Sequence, residues 1–443
     1  MTPFKSANWQ ELNSAKRPLA FLGASILDAD IEIQDGVLVV QKNKIILCGS
    51  RQEMESQIPA DALKLDCRGL LISPGLINAH THNALSYLRS LGHGRKQMIE
   101  SLFFKTEVNL TEELVEALCY SDLLTGLRSG VTCFVDHYYF HRATARAIDH
   151  FGLRGVVSDT LLDVEGPFHG WEPWEAFKKS LDHWDFSDRV RPCVGPHASN
   201  TTSPKMFREL ADFAKSNKLP IHFHLSQTKR EWENSMKLYG KSPVAHVASL
   251  GALSPNSQAV HLLHVDDDDL KILADSGTRA GFCPSSQIMY EKLAPIERFV
   301  KAGVKWTLGT DCAASNDLAD LHAEMKVASL FALDRGVPQE NLSQSILKAC
   351  TIEAAECFGI PTAQLKSGFL ADLVFHDLGL QALPAQKLYE TYVFNLNSQQ
   401  IRSVMVDGQF LLWNQQSTKI NEAELTIAYN AAVEKIHLSI ASK

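Results

Sequence analysis

Residues 70–82 read LLISPGLINAHTH, an apolar run interrupted by a Pro74-Gly75 turn and ending in two histidines one residue apart. Alternate side chains of an extended chain share a face, so His80 and His82 point the same way. Neutral imidazole is a common ligand for zinc and its neighbours, and two on one strand end make half a metal site. An isolated pair of this kind is more readily explained as solvated or core histidines, so the rest of the chain has to decide.

Later apolar runs supply the other half. LPIHFHLSQ (219–227) carries His222 and His224 on one face, QAVHLLHV (258–265) carries His261 and His264, and VKWTLGTD (304–311) ends in Asp311. Each run is short and followed by a polar stretch that opens a helix. The histidines and Asp311 therefore fall at the carboxyl ends of strands, where barrel enzymes assemble their chemistry.

PGLINAHTH, IHFHLSQT, AVHLLHVD and GTDCAASND, in this order and spacing, resemble the amidohydrolase superfamily. Within it they are most similar to the mononuclear branch of adenosine-type, S-adenosylhomocysteine and guanine-type deaminases and triazine hydrolases, over about Pro18 to Asp407. The resemblance implies one divalent metal on His80, His82, His224 and Asp311. Three imidazoles and one carboxylate put zinc ahead of ferrous iron or manganese. His224 is chosen over His222 because the family ligand stands three residues before the position held here by Gln227. His222 is read as a satisfied core residue, with a place in the same cavity as the alternative. The fourth strand end carries His197, in VGPHASN, and no lysine, which favours one metal over a bridged pair.

A bound divalent cation lowers the pKa of water to about 7, and Asp311 can accept the proton released. His261 matches a non-ligand histidine that polarises the reacting centre, while His264 reads as supporting structure. Gln227 departs from the pattern: deaminases of this branch carry a glutamate there that shuttles a proton to a ring nitrogen, and an amide cannot titrate. Glu107, in SLFFKTEVNLT, matches a glutamate directed at ribose hydroxyls, although an exposed first-turn residue would look the same. His197 matches a histidine beside that pocket. The arginine after the third strand is replaced by Asp159, and Ser285, Ser286 and Gln287 replace a Ser-Asn pair, which indicates a changed ring substrate. Trp171, Trp174 and Phe168 form an aromatic lid over a flat ring, or pin a long loop.

The 443 residues, 45% apolar and 21% charged, suffice for one barrel with a smaller appended domain. A net charge of -8 with no basic stripe argues against a nucleic-acid or anionic membrane partner. No window approaches the roughly 18 apolar residues of a membrane span. The first twenty residues lack the basic-then-apolar order of a signal peptide. The nine cysteines are scattered without a CxxC pair, as expected of reduced thiols in a cytoplasmic protein.

Eight strand candidates alternate with helical stretches: Leu70–His82, Val131–His137, Gly152–Leu162, Arg191–His197, Leu219–Gln227, Gln258–Val265, Thr278–Cys283 and Val304–Asp311. Eight is the number a closed (β/α)8 barrel of the TIM type needs. Short strands in 18–47 and again in 368–374 and 403–410 predict a small β-sandwich built from both chain ends. The expected partition is 1–69, then a barrel over 70–364, then 365–443 with a terminal helix over Glu422 to Ile440; residues 1–16 read as an irregular arm. The expected function is hydrolysis of a C–N bond in a small nitrogen heterocycle (purine, pterin or triazine) by deamination. Hydrolytic dehalogenation, cyclic-amide opening and a non-catalytic binding role are the alternatives. The family resemblance adds a homodimer.

Overall fold

The computed structural model describes residues 2–95 and 97–441. Its core is a barrel of eight parallel strands: β1 (Leu76–Thr81), β2 (Val131–His137), β3 (Arg154–Ser158), β4 (Val190–Pro192), β5 (Ile221–Leu225), β6 (Ser257–His261), β7 (Arg279–Phe282) and β8 (Trp306–Leu308). They form two four-stranded sheets, β1 to β4 and β5 to β8. Parallel bridges Val194–Ile221 and Thr81–Asp311 close the two seams. At the second seam the backbones nearly touch: a Cβ on Gly309 would sit 2.7 Å from the His80 nitrogen. Only glycine permits that approach, so Gly309 is what lets the first and last strands of the barrel bring His80 and Asp311 together.

Helices follow most strands, and their starts are written in the sequence. Thr111 caps Glu112–Arg128 by accepting from Leu114 N, Ser203 caps Pro204–Asn217 with proline in its first turn, and Asp320 caps Leu321–Asp334. Leu118, Phe151 and Phe207 from the helices and Phe223 and Phe282 from the strands share one buried apolar cluster between the two layers.

The expected strand Leu70–His82 is two strands. Leu70–Pro74 leaves the barrel and joins a ten-stranded sheet, lying parallel to Leu19–Leu27 and antiparallel to Leu373–Asp377. The chain turns at Gly75, where a Cβ would overlap the Thr132 side chain at 2.1 Å, and only then enters β1. The sheet continues through Glu32–Gln41 and Lys44–Ser50 and through Leu63–Asp66 and Thr2–Pro3 beside Leu19–Leu27, and on the other side through the hairpin Ile401–Val406 and Gln409–Trp413 to Gln416–Ser417. Asp407 and Gly408 both take positive φ in that hairpin turn, as their dipeptide predicts. Both chain ends therefore build this sheet.

Residues 1–16, read as an irregular arm, are ordered among the described residues. Trp9–Ser14 is helical, and Phe4 is 1% exposed, stacked on Phe375 at 4.8 Å and against Trp413 at 4.7 Å. Phe4 and Leu12 bury in the sheet's core, Trp9 packs against it, and Thr2–Pro3 pairs with Leu65–Asp66, which together order the segment. Arg154 on β3 joins barrel to sheet through Asp372 at 2.5 and 3.0 Å and Asp407 at 2.9 Å. None of the nine cysteines is paired.

Candidate metal centre

His80 and His82 leave β1 on one face, His224 ends β5, and Asp311 follows β8. The structure gathers them at the carboxyl end of the barrel, where His80, His82 and Asp311 form one close group and His80, His224 and His261 form another. His82 Nε2 lies 3.3 Å from His224 Nε2 and 3.5 Å from Asp311 Oδ1, and His80 Nε2 is 3.7 Å from the same oxygen. A tetrahedron with bonds of about 2.1 Å has edges of roughly 3.4 Å, so these spacings suit one zinc-sized cation. His80 Nε2 is buried with no hydrogen-bond partner, a cost that a cation at this point would remove.

The tautomers suit the same role. His82 Nδ1 donates to the His137 carbonyl and His224 Nδ1 to the His197 carbonyl at 2.8 Å, which leaves each Nε2 lone pair facing inward. Burial holds both rings neutral, lowering each to about 4. Burial, reinforced by the surrounding imidazoles, lowers His80 well below the usual range. Metal ligands need this unprotonated form. Burial raises Asp311, opposed by the Ser286 hydroxyl on its Oδ2 at 2.6 Å. Asp311, His261 and Ser226, at or just beyond the ends of β8, β6 and β5, have φ of 61°, 82° and 52°. Three non-glycine residues in the left-handed region at one barrel end mark backbone bent to aim side chains.

A family model described as "Amidohydrolase family" matches residues 71–411. The chain belongs to the amidohydrolase family. It is 30% identical over 397 residues to a 5-methylthioadenosine/S-adenosylhomocysteine deaminase of Nitratidesulfovibrio vulgaris, covering 88% of this chain and 90% of that one. To a 5'-deoxyadenosine deaminase of Methanosarcina mazei it is 28% identical over 412 residues, 91% and 94% of the two chains. The fold is shared with a zinc-bound adenosine deaminase from Xanthomonas campestris, with a TM-score of 0.89, 22% identity, and 95% and 98% of the chains covered. It is also shared with a zinc complex of atrazine chlorohydrolase from Arthrobacter aurescens, with a TM-score of 0.84, 20% identity, and 94% and 100% covered.

In this amidohydrolase His82, His224 and Asp311 open onto a cavity also lined by Leu85, Phe103, Tyr138, His197, Gln227 and His261, with His80 buried behind them. His261 Nε2 stands 3.9 Å from Asp311 Oδ2. Glu107, for which an exposed helix position was an equal expectation, is 3% exposed in the same cavity and accepts from Tyr138 Oη at 2.9 Å. Burial among aromatic rings raises its carboxyl to about 8. A second, outer cavity of about 400 Å3 shares Ile99, Phe104, His197, Gln227 and Tyr290 with the first.

The structure corrects other expectations. Trp171 lines neither cavity; it packs under Lys205, whose Nζ is 5.0 Å from the ring centroid. Trp174 is fully buried against Phe177 and Phe213, so neither tryptophan caps the site and both pin the loop. Phe168 alone reaches the cavity wall, through Tyr139 at 5.3 Å. Asp159 pairs with His141 at 3.1 Å, and His264 pairs with Glu291 at 3.0 Å. His222 is a core residue, yet its Nε2 meets His80 Nδ1 at 2.9 Å and so aims a ligand. Two contributors went unread in the sequence. His137 at the end of β2 supplies the His82 acceptor, and Tyr138 holds Glu107; the histidine at a strand end in VDHYY was the available signal.

Proposed function

We propose that this amidohydrolase is a zinc-dependent aminohydrolase that removes an amino group from a nitrogen heterocycle, with an adenine-type nucleoside as the first substrate to try. The approach of His82 to His224 and Asp311, and of His80 to Asp311, beside the unpartnered His80 Nε2 carries the reading. The names of the relatives, deaminases of adenosine derivatives at about 30% identity over nearly full length, support the substrate class.

Held by these four residues, the cation would lower the pKa of water to about 7. The chain's own groups do the rest. Asp311 Oδ2 accepts the proton of the attacking water, and His261, buried and neutral, donates from Nε2 to the oxygen that attacks the ring carbon. Glu107, protonated in its aromatic surroundings, hydrogen-bonds the polar substituent of the ring. Gln227 orients the substrate through its amide and does not titrate. Nine unpaired thiols support a cytoplasmic site of action.

Hydrolytic loss of a ring substituent other than an amine is the second reading, favoured by Gln227, since a weakly basic leaving group needs no proton. The deciding experiment measures zinc per chain and then ammonia release across adenine nucleosides, guanines, pterins and aminotriazines. About one zinc and ammonia from at least one ring support the proposal. Less than about half an equivalent after zinc-replete expression would overturn it, given how tightly closed sites of this kind bind.

A further inference from the structure

Glu231 has no part in the chemistry above, yet three donors meet its carboxylate beside the site. Its Oε1 accepts from Ser199 Oγ at 2.5 Å and from the Ser226 backbone N–H at 3.1 Å, and its Oε2 accepts from the Gln227 N–H at 2.8 Å. Glu231 is only 4% exposed and stands in the first turn of the helix Lys229–Tyr239, whose cap is Thr228. A carboxylate suits that end of a helix, and a glutamate at this position ordinarily reaches back to the N–H of the cap residue. This one reaches beyond it. Ser226 and Gln227 form the turn that leaves β5, and Ser199 belongs to the loop after β4, two residues past His197. Ser226 has a φ of 52°, and its carbonyl accepts from Leu263 N at 2.9 Å. A bent piece of backbone is thus gripped at its N–H by Glu231 and at its carbonyl by the end of β6. Gln227 and His197, carried by the two loops that Glu231 joins, both line the inner and the outer cavity.

Resting on the aminohydrolase reading, we infer that Glu231 is a positioning residue: by tying the Ser226–Gln227 turn to Ser199, it sets where the Gln227 amide meets the substrate between the two cavities. Gln227 cannot titrate, so its contribution lies in where its amide is held. An ionised carboxylate only accepts, and three donors converge on this one. An amide of the same shape would turn an NH2 group toward one of them. Oε1 already serves two donors, so the partner opposed in Glu231→Gln is the Gln227 N–H. That substitution keeps the size of the side chain and its place on the helix while releasing the turn.

The test uses the zinc-loaded full chain. In hydrogen exchange the Ser226 and Gln227 amides should exchange at least about tenfold faster in Glu231→Gln than in the wild type, with the barrel strands unchanged. On whichever amino-heterocycle the wild type turns over, Glu231→Gln should lower kcat/KM about ten- to a hundredfold, the scale of a misplaced orienting group, with zinc per chain unchanged. In a Gln227→Ala background the same substitution should cost less than about threefold, because the group it places is already gone. Ser199→Ala should repeat this pattern more weakly, and it decides the matter if Glu231→Gln does not fold. Unchanged exchange at 226 and 227, wild-type kcat/KM, an equal loss in both backgrounds, or zinc lost in step with activity would each overturn the inference. A zinc-loaded wild type that turns over no ring in the panel overturns the aminohydrolase reading itself, a result distinct from any of these.

Discussion

His80 Nδ1 and His222 Nε2 are 2.9 Å apart in a region where both side chains are fully buried. Were His80 to face a cation with Nε2, its Nδ1 proton would need a partner, and His222 Nε2 is in place to accept it. Such partners are commonly carboxylates or carbonyls. Here the acceptor is a neutral ring, itself near the Gln258 amide at 3.5 Å.

Replacing it should loosen the metal without unmaking the barrel. His222→Ala should weaken zinc binding about 10–100-fold, measured by competition with a chelator. Wild-type affinity would show that His80 is aimed by the β1 backbone alone.

Gln227 lines the cavity beside His224 and His261. Gln227→Glu restores a titratable group there, and kcat for deamination should rise at least about tenfold if proton delivery limits turnover. An unchanged rate on every amino-heterocycle would show that proton delivery is not limiting.

Arg154 is the buried tie between β3 and the strand domain, and removing one partner leaves Asp372 charged and unmatched. Arg154→Met should cost about 3–5 kcal/mol in urea unfolding. A loss under about 1 kcal/mol would mean that water enters the junction and solvates Asp372.

A second buried pair, His322 and His376, packs between the helix Leu321–Asp334 and the strand Leu373–Asp377, with ring centroids 5.4 Å apart. Burial lowers His322 to about 4, with Asp320 opposing, while burial and then His322 lower His376 well below the usual range. The folded form resists protons that the unfolded chain takes up near pH 6.5. Stability is therefore intact above about pH 6.5 and is lost progressively as pH falls toward about 4, by roughly 2 kcal/mol at pH 5 for His322 alone. His322→Phe should flatten that part of the stability curve. An unaltered slope between pH 7 and 5 would locate the acid sensitivity elsewhere.

The barrel and the gathering of His80, His82, His224 and Asp311 at its carboxyl end were legible because each signal was local: an apolar run, a polar residue at its end, a helix cap next. Leu70–His82 misled because periodicity registers apolar residues and not which sheet receives them; the switch lies in a close approach between Gly75 and Thr132. The arm around Phe4 was hidden for a related reason, since Phe4, Trp9 and Leu12, scattered among polar neighbours, make no period. His222 and His224 share a face, so alternation could not say that one would face the cation and the other would steer His80. The tryptophans failed as a lid because composition cannot tell a ring that covers a cavity from one that anchors a loop.

Leu70–Pro74 pairs with a strand translated about 300 residues later, Ser73 lying opposite Val374. A ribosome adding about 5–20 residues per second leaves that edge open for something on the order of 15 to 60 s. Throughout synthesis the nascent chain thus displays an unmatched apolar strand between two partly finished layers, a target for chaperones and for misassembly with neighbouring copies. Yield in the cell should depend on how that interval is guarded more than on the strength of the finished fold.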